Sequence, residues 1–121
     1  MRLIDIYRHF IQLGKENDPR SLAEVEKKLA RLNQQYAELP EKDKKYFDME
    51  RLTNPYNDSR ILNGDPQVEV KKILVGVDME AQEILLADRL REKGEKIDLI
   101  MAHHPEGKAL VALHRVMSLQ E

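Results

Sequence analysis

Two adjacent histidines, His103 and His104, stand in the stretch IMAHHPEG, between an apolar run and a Pro-Glu-Gly turn. Imidazoles suit zinc, iron and nickel, so metal binding is one chemistry this stretch supports. On a regular strand, neighbouring side chains point to opposite faces. Both rings can serve one site only where the strand breaks. Pro105 supplies such a break and biases His104 toward extended backbone. Two rings on such a bend could each bind one ion of a close pair, an arrangement that activates water and clamps phosphate. A histidine pair in a surface turn also serves as plain polar filler, and residue types alone leave both readings open. Asp78 has the same double character. It ends an apolar run as a site carboxylate would, and it precedes a helix, where Asp is a favoured N-cap. His9 and His114 lie beside apolar positions in helical stretches and read as solvated or core-edge side chains.

The segment AHHPEGKA, residues 102 to 109, also resembles a damaged phosphate-binding loop of the G-x-x-x-x-G-K-[ST] kind. Gly107 and Lys108 fit. Ala102 replaces the first glycine, Ala109 replaces the magnesium-binding hydroxyl, and Pro105 removes a backbone N–H. Three defects argue against nucleotide hydrolysis. Anion binding at the following helix N-terminus, helped by Lys108, stays open.

These residues need elements to place them. In the first helix, Leu3, Ile6, Tyr7, Phe10 and Leu13 recur at three- and four-residue steps, with Gly14 as a stop. A second helix begins near DPRSLAEV, where Asp18 enters and Ser21 with Glu24 has capping-box spacing. Leu22, Val25, Leu29, Leu32, Tyr36 and Leu39 then form a seam that predicts either a helical hairpin with the first helix or an exposed partner-binding face. EKDKKYF predicts a short third helix. RLTNPYNDSRILNGDP is loop chemistry, and polar loops of this length are often functional. Ile73, Leu74, Val75 and Val77 predict a short buried parallel strand. A helix follows, with Leu86, Ala87 and Leu90 on one face and Gly94 at its end. KIDLIMA predicts a second strand, and GKALVALHRVMSL a last helix. Strand, helix, strand at this spacing predicts a βαβ unit with parallel strands. The expected fold is α/β. Residues 1–50 form a helical region, 51–66 a loop-rich bridge, and 67–121 a βαβα metal-site half-domain. In parallel sheets the site lies beyond the carboxyl ends of the strands, where Asp78 and the histidine pair both fall.

The chain has 121 residues, 20 basic and 22 acidic, a mixture that suggests neither a nucleic-acid surface nor an acidic tail. It contains no cysteine, so disulfides and thiolate metal sites are excluded. No apolar run approaches membrane-spanning length, and MRLIDIYRHF does not read as a signal peptide. A cytoplasmic location is the expectation.

GDPQVEVKKILVGVDME, then a helix, then IDLIMAHHP resembles the N-terminal part of the NIF-three-like proteins, a family also labelled GTP cyclohydrolase I type 2-like. The likeness covers roughly residues 60 to 114. It implies a dinuclear divalent-metal centre (zinc, iron or similar) in which His103 and His104 each ligate one ion. It places Asp78 near the site as the family's strand-end acid. It further implies homo-oligomers and a hydrolase-like role on a phosphorylated or nucleotide-like small molecule. The family's other ligands, an Asp and a late His and Glu, come well downstream of the histidine pair, and this sequence ends 17 residues after His104. The expectation is therefore a fragment that is inactive alone. The family's HHP-Leu-Ile-Phe continuation is replaced here by HHPEGKA, which puts Glu106 and Lys108 at the pocket rim. The alternative is a non-enzymatic helical interaction module carried by residues 1–50.

Overall fold

The computed structural model describes residues 1–113. Helix α1 spans Leu3–Glu16, α2 Leu22–Glu38 and α3 Glu41–Lys44, followed by a 3-10 turn at Met49–Leu52. Strand β1 (Ile73–Gly76), α4 (Ala81–Glu92), β2 (Leu99–Ala102) and α5 (Gly107–Val111) complete the order. The two strands pair in parallel, Ile73 with Leu99 through Gly76 with Ala102. The coarse expectation of a helical N-terminus with a parallel sheet therefore holds. The part of the last helix expected beyond residue 113, and His114 with it, lies outside the described residues.

Local signals explain most boundaries. Ser21 caps α2: the Glu24 N–H donates to Ser21 Oγ, and the Ser21 N–H donates to Glu24 Oε2 at 3.0 Å. Such a cap contributes about 1 kcal/mol. Helix α4 closes on Gly94 at φ +96°, with the Gly94 N–H donating to the Arg91 carbonyl and the Glu95 N–H to the Leu90 carbonyl. That pair of bonds is a Schellman stop, and it needs the left-handed residue that glycine supplies. Asp98 fixes the start of the sheet by accepting the Lys71 and Lys72 N–H groups, both at 2.9 Å.

Two expectations about the helices change. Gly14 does not end α1, which continues to Glu16. A Cβ on Gly14 would lie 2.8 Å from the Tyr56 ring, so the glycine makes room for that ring. The inward face of α1 is correspondingly rotated. Leu3 and Ile11 are buried, while Phe10 and Leu13 of the expected stripe are exposed. The seam of α2 is turned inward: Val25 and Leu29 are buried, Leu32, Tyr36 and Leu39 half-buried, and only Leu22 is exposed. It packs against α1 and the 3-10 turn, with the Tyr36 and Phe47 rings 4.9 Å apart and tilted at 49°.

The loop joining the two regions is a structural clamp. Asn54 is buried; its amide donates to Tyr7 Oη and to the Ser59 carbonyl, and its oxygen accepts the Tyr56 N–H. Tyr56 Oη donates to Asp18 Oδ2 at 3.0 Å, and the Arg20 guanidinium grips both oxygens of the same carboxylate. Asp18, read from sequence as a helix entry, is thus the anchor of α2 to this loop. The Arg20 guanidinium, with the Arg20 N–H and the Tyr56 hydroxyl, holds the Asp18 carboxyl well below the usual carboxylate range. Burial, aided by Asp18, pushes Tyr56 up to about 12, so its hydroxyl stays a donor. A carboxyl depressed on folding stabilises the fold above its unfolded value and stops doing so as pH falls toward the folded one. The stability gap between the wild type and Asp18→Asn is therefore expected to be full at pH 7 and to narrow below about pH 4. Urea midpoints at a series of pH values test this, and a gap independent of pH contradicts it.

The N-terminus is pinned beside the sheet. The Val70 N–H donates to the Met1 carbonyl, and the Leu3 N–H to the Val68 carbonyl. The sheet itself is thinly covered. Strand β1 was expected to be buried, yet Ile73 and Val75 are 39% and 59% exposed, and Val77, which lies just beyond its end, is 56% exposed. In α4, Ala87 faces inward while Leu86 is exposed. Residues of β1 alternate between exposed and half-buried, while all four of β2 are half-buried.

Candidate metal centre

His103 and His104 follow β2 directly and occupy a bend. In a regular parallel ladder, alternate residues of a strand bond to a given neighbour. Here consecutive residues do so: the His103 N–H donates to the Gly76 carbonyl at 2.9 Å and the His104 N–H to the Val77 carbonyl at 2.8 Å. The alternation is broken at the histidine pair. The two rings lie 5.3 Å apart, centroid to centroid, at 35° to each other.

Asp78 joins them from the end of β1. Its Oδ1 lies 2.8 Å from His104 Nδ1. An ionised carboxylate only accepts, so Nδ1 carries the hydrogen of this bond. In the neutral ring, Nε2 then presents its lone pair away from Asp78. The N-cap role open to Asp78 falls elsewhere: Glu80 is the N-cap of α4, and its N–H donates to Glu83 Oε2 at 3.0 Å. Asp78 and His104 are both more than half exposed, so an ion or molecule reaches them from solvent.

The rim residues do not converge on this pair. Lys108 Nζ is directed to Glu50 Oε2 at 3.5 Å, and that contact joins α5 to the 3-10 turn. Glu106 is the N-cap of α5, and its side chain makes no hydrogen bond or ion pair among the described residues. The phosphate-loop reading loses its lysine to Glu50, and α5 is a helix of five residues.

Glu50 is the residue that spacing did not single out. Its Oε1 accepts from Tyr7 Oη, and its Oε2 from Arg60, which also pairs with Asp48 at 2.9 Å. Nothing local in MERL marks it, because its partners lie 43, 10 and 58 residues away.

The donor set is two imidazoles. Among the described residues, no group of three or more His, Cys, Asp or Glu side chains is placed to hold an ion. The chemistry of the pair fits a metal nonetheless, because a ligating histidine characteristically donates its other ring N–H to a carboxylate or carbonyl, as His104 does to Asp78. No family model matches the chain, and no curated protein or solved structure matches it either. Among the described residues, no helix is long and apolar enough to cross a membrane.

Proposed function

We propose that this chain is a metal-binding unit of NIF-three-like type, with β1, α4, β2 and α5 as a βαβα half-domain and His103 and His104 as the ligands. The observation that carries the reading is the 2.8 Å Asp78–His104 bond beside a histidine pair on a broken strand. It orders one imidazole with a lone pair directed outward, which polar filler does not require. A bound divalent ion, zinc or iron by ligand type, would supply Lewis acidity for hydrolysis. Asp78 holds the His104 ring and its tautomer. Lys108 is directed to Glu50 at 3.5 Å and steadies α5 rather than the site. A phosphorylated or nucleotide-like substrate is proposed on the family likeness alone. Two donors among the described residues would hold an ion weakly, and the proposed location is cytoplasmic, in keeping with a sequence free of cysteine.

The orienting role of Asp78 has a measurable size. Asp78→Asn is expected to weaken zinc affinity about 10- to 100-fold, the usual effect of losing such a partner, with helical content unchanged. Calorimetric titration of metal-free protein with zinc chloride reads this. Equal affinities for wild type and variant would remove Asp78 from the site.

A second reading, a helical interaction module, draws on Phe10, Leu13 and Leu22, which are exposed on the helical hairpin. It predicts self-association that is indifferent to chelator and lost in Phe10→Ser.

A further inference from the structure

We propose that Asn63 is a site of spontaneous covalent modification, where the chain closes a succinimide ring with Gly64 and opens it to aspartate or isoaspartate. The site lies in the loop ILNGDPQ, apart from the histidines, and does not depend on the metal reading. Asn63 and Gly64 form a bend, and residues 62 to 69 are all exposed. Among the described residues, the Asn63 side chain makes no hydrogen bond, and the Gly64 N–H donates to no backbone carbonyl. Both reacting groups, the Asn63 Cγ and the Gly64 nitrogen, are therefore free to meet. Gly64 has φ +101°, and a Cβ added there would meet nothing within 4 Å. A residue without a side chain lets its backbone nitrogen approach closely, and the open space leaves room for the ring.

The Gly64 nitrogen attacks the Asn63 side-chain carbonyl carbon. The N–Cγ bond forms, the Cγ–Nδ2 bond breaks, and Nδ2 leaves as ammonia with the Gly64 proton. Water then opens the ring. Addition at Cγ gives aspartate. Addition at the Asn63 backbone carbonyl carbon gives isoaspartate, in which the main chain runs through the side-chain carbon. Either product carries one more negative charge than the starting chain at neutral pH.

The other asparagines are protected. Asn54 is buried with both ends of its amide bonded, and Pro55 after it has no N–H to attack with. Asn33 Nδ2 donates to the Leu29 carbonyl at 2.9 Å and the Leu52 carbonyl at 3.0 Å, and the next residue lies inside α2. Asn17 Nδ2 donates to the Leu13 carbonyl at 2.9 Å, and Asp18 after it is gripped by Arg20. Asn57 is half-buried, and an aspartate follows it. Asn63 alone combines exposure, an unbonded amide and a following glycine. Its place in the fold also matters. Just beyond it, Asp65 Oδ1 accepts the Gln67 N–H at 2.9 Å, and the Pro66 and Val68 carbonyls accept the Ile4 and Leu3 N–H groups. The new charge arises beside Asp65, at the entry to the turn that holds the start of α1. The bonds of that turn begin after Gly64 and stay intact.

The test is incubation of the full chain at 37 °C and pH 8 beside the free peptide ILNGDPQ. Intact mass follows the reaction, and fragmentation of the peptide holding residue 63 locates it and tells aspartate from isoaspartate. The expected product is about 1 Da heavier, modified at Asn63, with isoaspartate present. The rate in the folded chain should lie within about tenfold of the free peptide, because the exposed loop leaves the pair unrestrained. Asn63→Gln, at an exposed position, is expected to remove this gain. A folded chain that stays unmodified while the peptide reacts would overturn the proposal, and so would no reaction in either. A first gain at Asn17, Asn33, Asn54 or Asn57, or a gain undiminished in Asn63→Gln, would place the reaction elsewhere and overturn it too. Aspartate with no isoaspartate would overturn the ring.

Discussion

Arg60→Met is expected to destabilise the fold by about 3 kcal/mol, a large part of the 5–15 kcal/mol that holds a domain of this size together. The Arg60 side chain is 2% exposed, and its Nη1 lies 2.9 Å from Asp48 and 2.7 Å from Glu50. Its Nε donates to the Asn57 carbonyl at 3.1 Å. Removing the guanidinium leaves two carboxylates facing each other at the junction of the 3-10 turn and the loop. The cost comes from that uncompensated charge more than from the lost attraction, since a buried pair repays little beyond its own desolvation. Adding Glu50→Gln to Arg60→Met should therefore recover part of the loss, because the two residues share one network. Urea unfolding of the wild type, both single variants and the double variant measures this. A loss under 1 kcal/mol, or strict additivity, would show that the clamp is only a surface arrangement.

The second large effect concerns the histidines. His103→Ala/His104→Ala is expected to lower zinc affinity by more than 100-fold, because it removes both nitrogen donors of the site. It should leave stability within about 0.5 kcal/mol of the wild type, as exposed substitutions ordinarily do. The backbone bonds that shape the bend come from the N–H groups of residues 103 and 104, which alanine keeps. His104→Ala alone should lose more affinity than His103→Ala alone, since His104 is the ring that Asp78 orders. Zinc calorimetry beside urea unfolding separates loss of ligand from loss of fold. Undiminished affinity in the double variant would move the metal elsewhere.

Much of this arrangement was legible in the residues themselves. Ser21 with Glu24 announced the start of α2, and Gly94 the end of α4, because capping chemistry is local. The strand ends could be placed because apolar runs stop at Asp78 and at the histidines. Parallel strands ending at one side of a sheet left Asp78 and the histidines able to approach one another, but neither the distance nor the bond was legible. What could not be read depended on distant partners. Both the set Leu3, Ile6, Phe10, Leu13 and the set Leu3, Tyr7, Ile11, Gly14 keep helical spacing, and the ring of Tyr56 decides between them by occupying the space over Gly14. The polar loop was expected to carry function, yet Asn54, Tyr56 and Arg60 are committed to internal bonds. Glu50 acquires its importance only when α1, the loop and α5 meet. The exposure of Val75 was hidden for a related reason: an apolar run reports the tendency of a strand to be covered, not whether a layer is present to cover it.

The most direct test is the metal content of protein purified without a metal-affinity tag, measured by elemental mass spectrometry beside the His103→Ala/His104→Ala variant. The account predicts a near-stoichiometric divalent metal in the wild type and none in the variant. Equal metal content in both, or none in either, would contradict it and leave the bend at His103 and His104 as a turn.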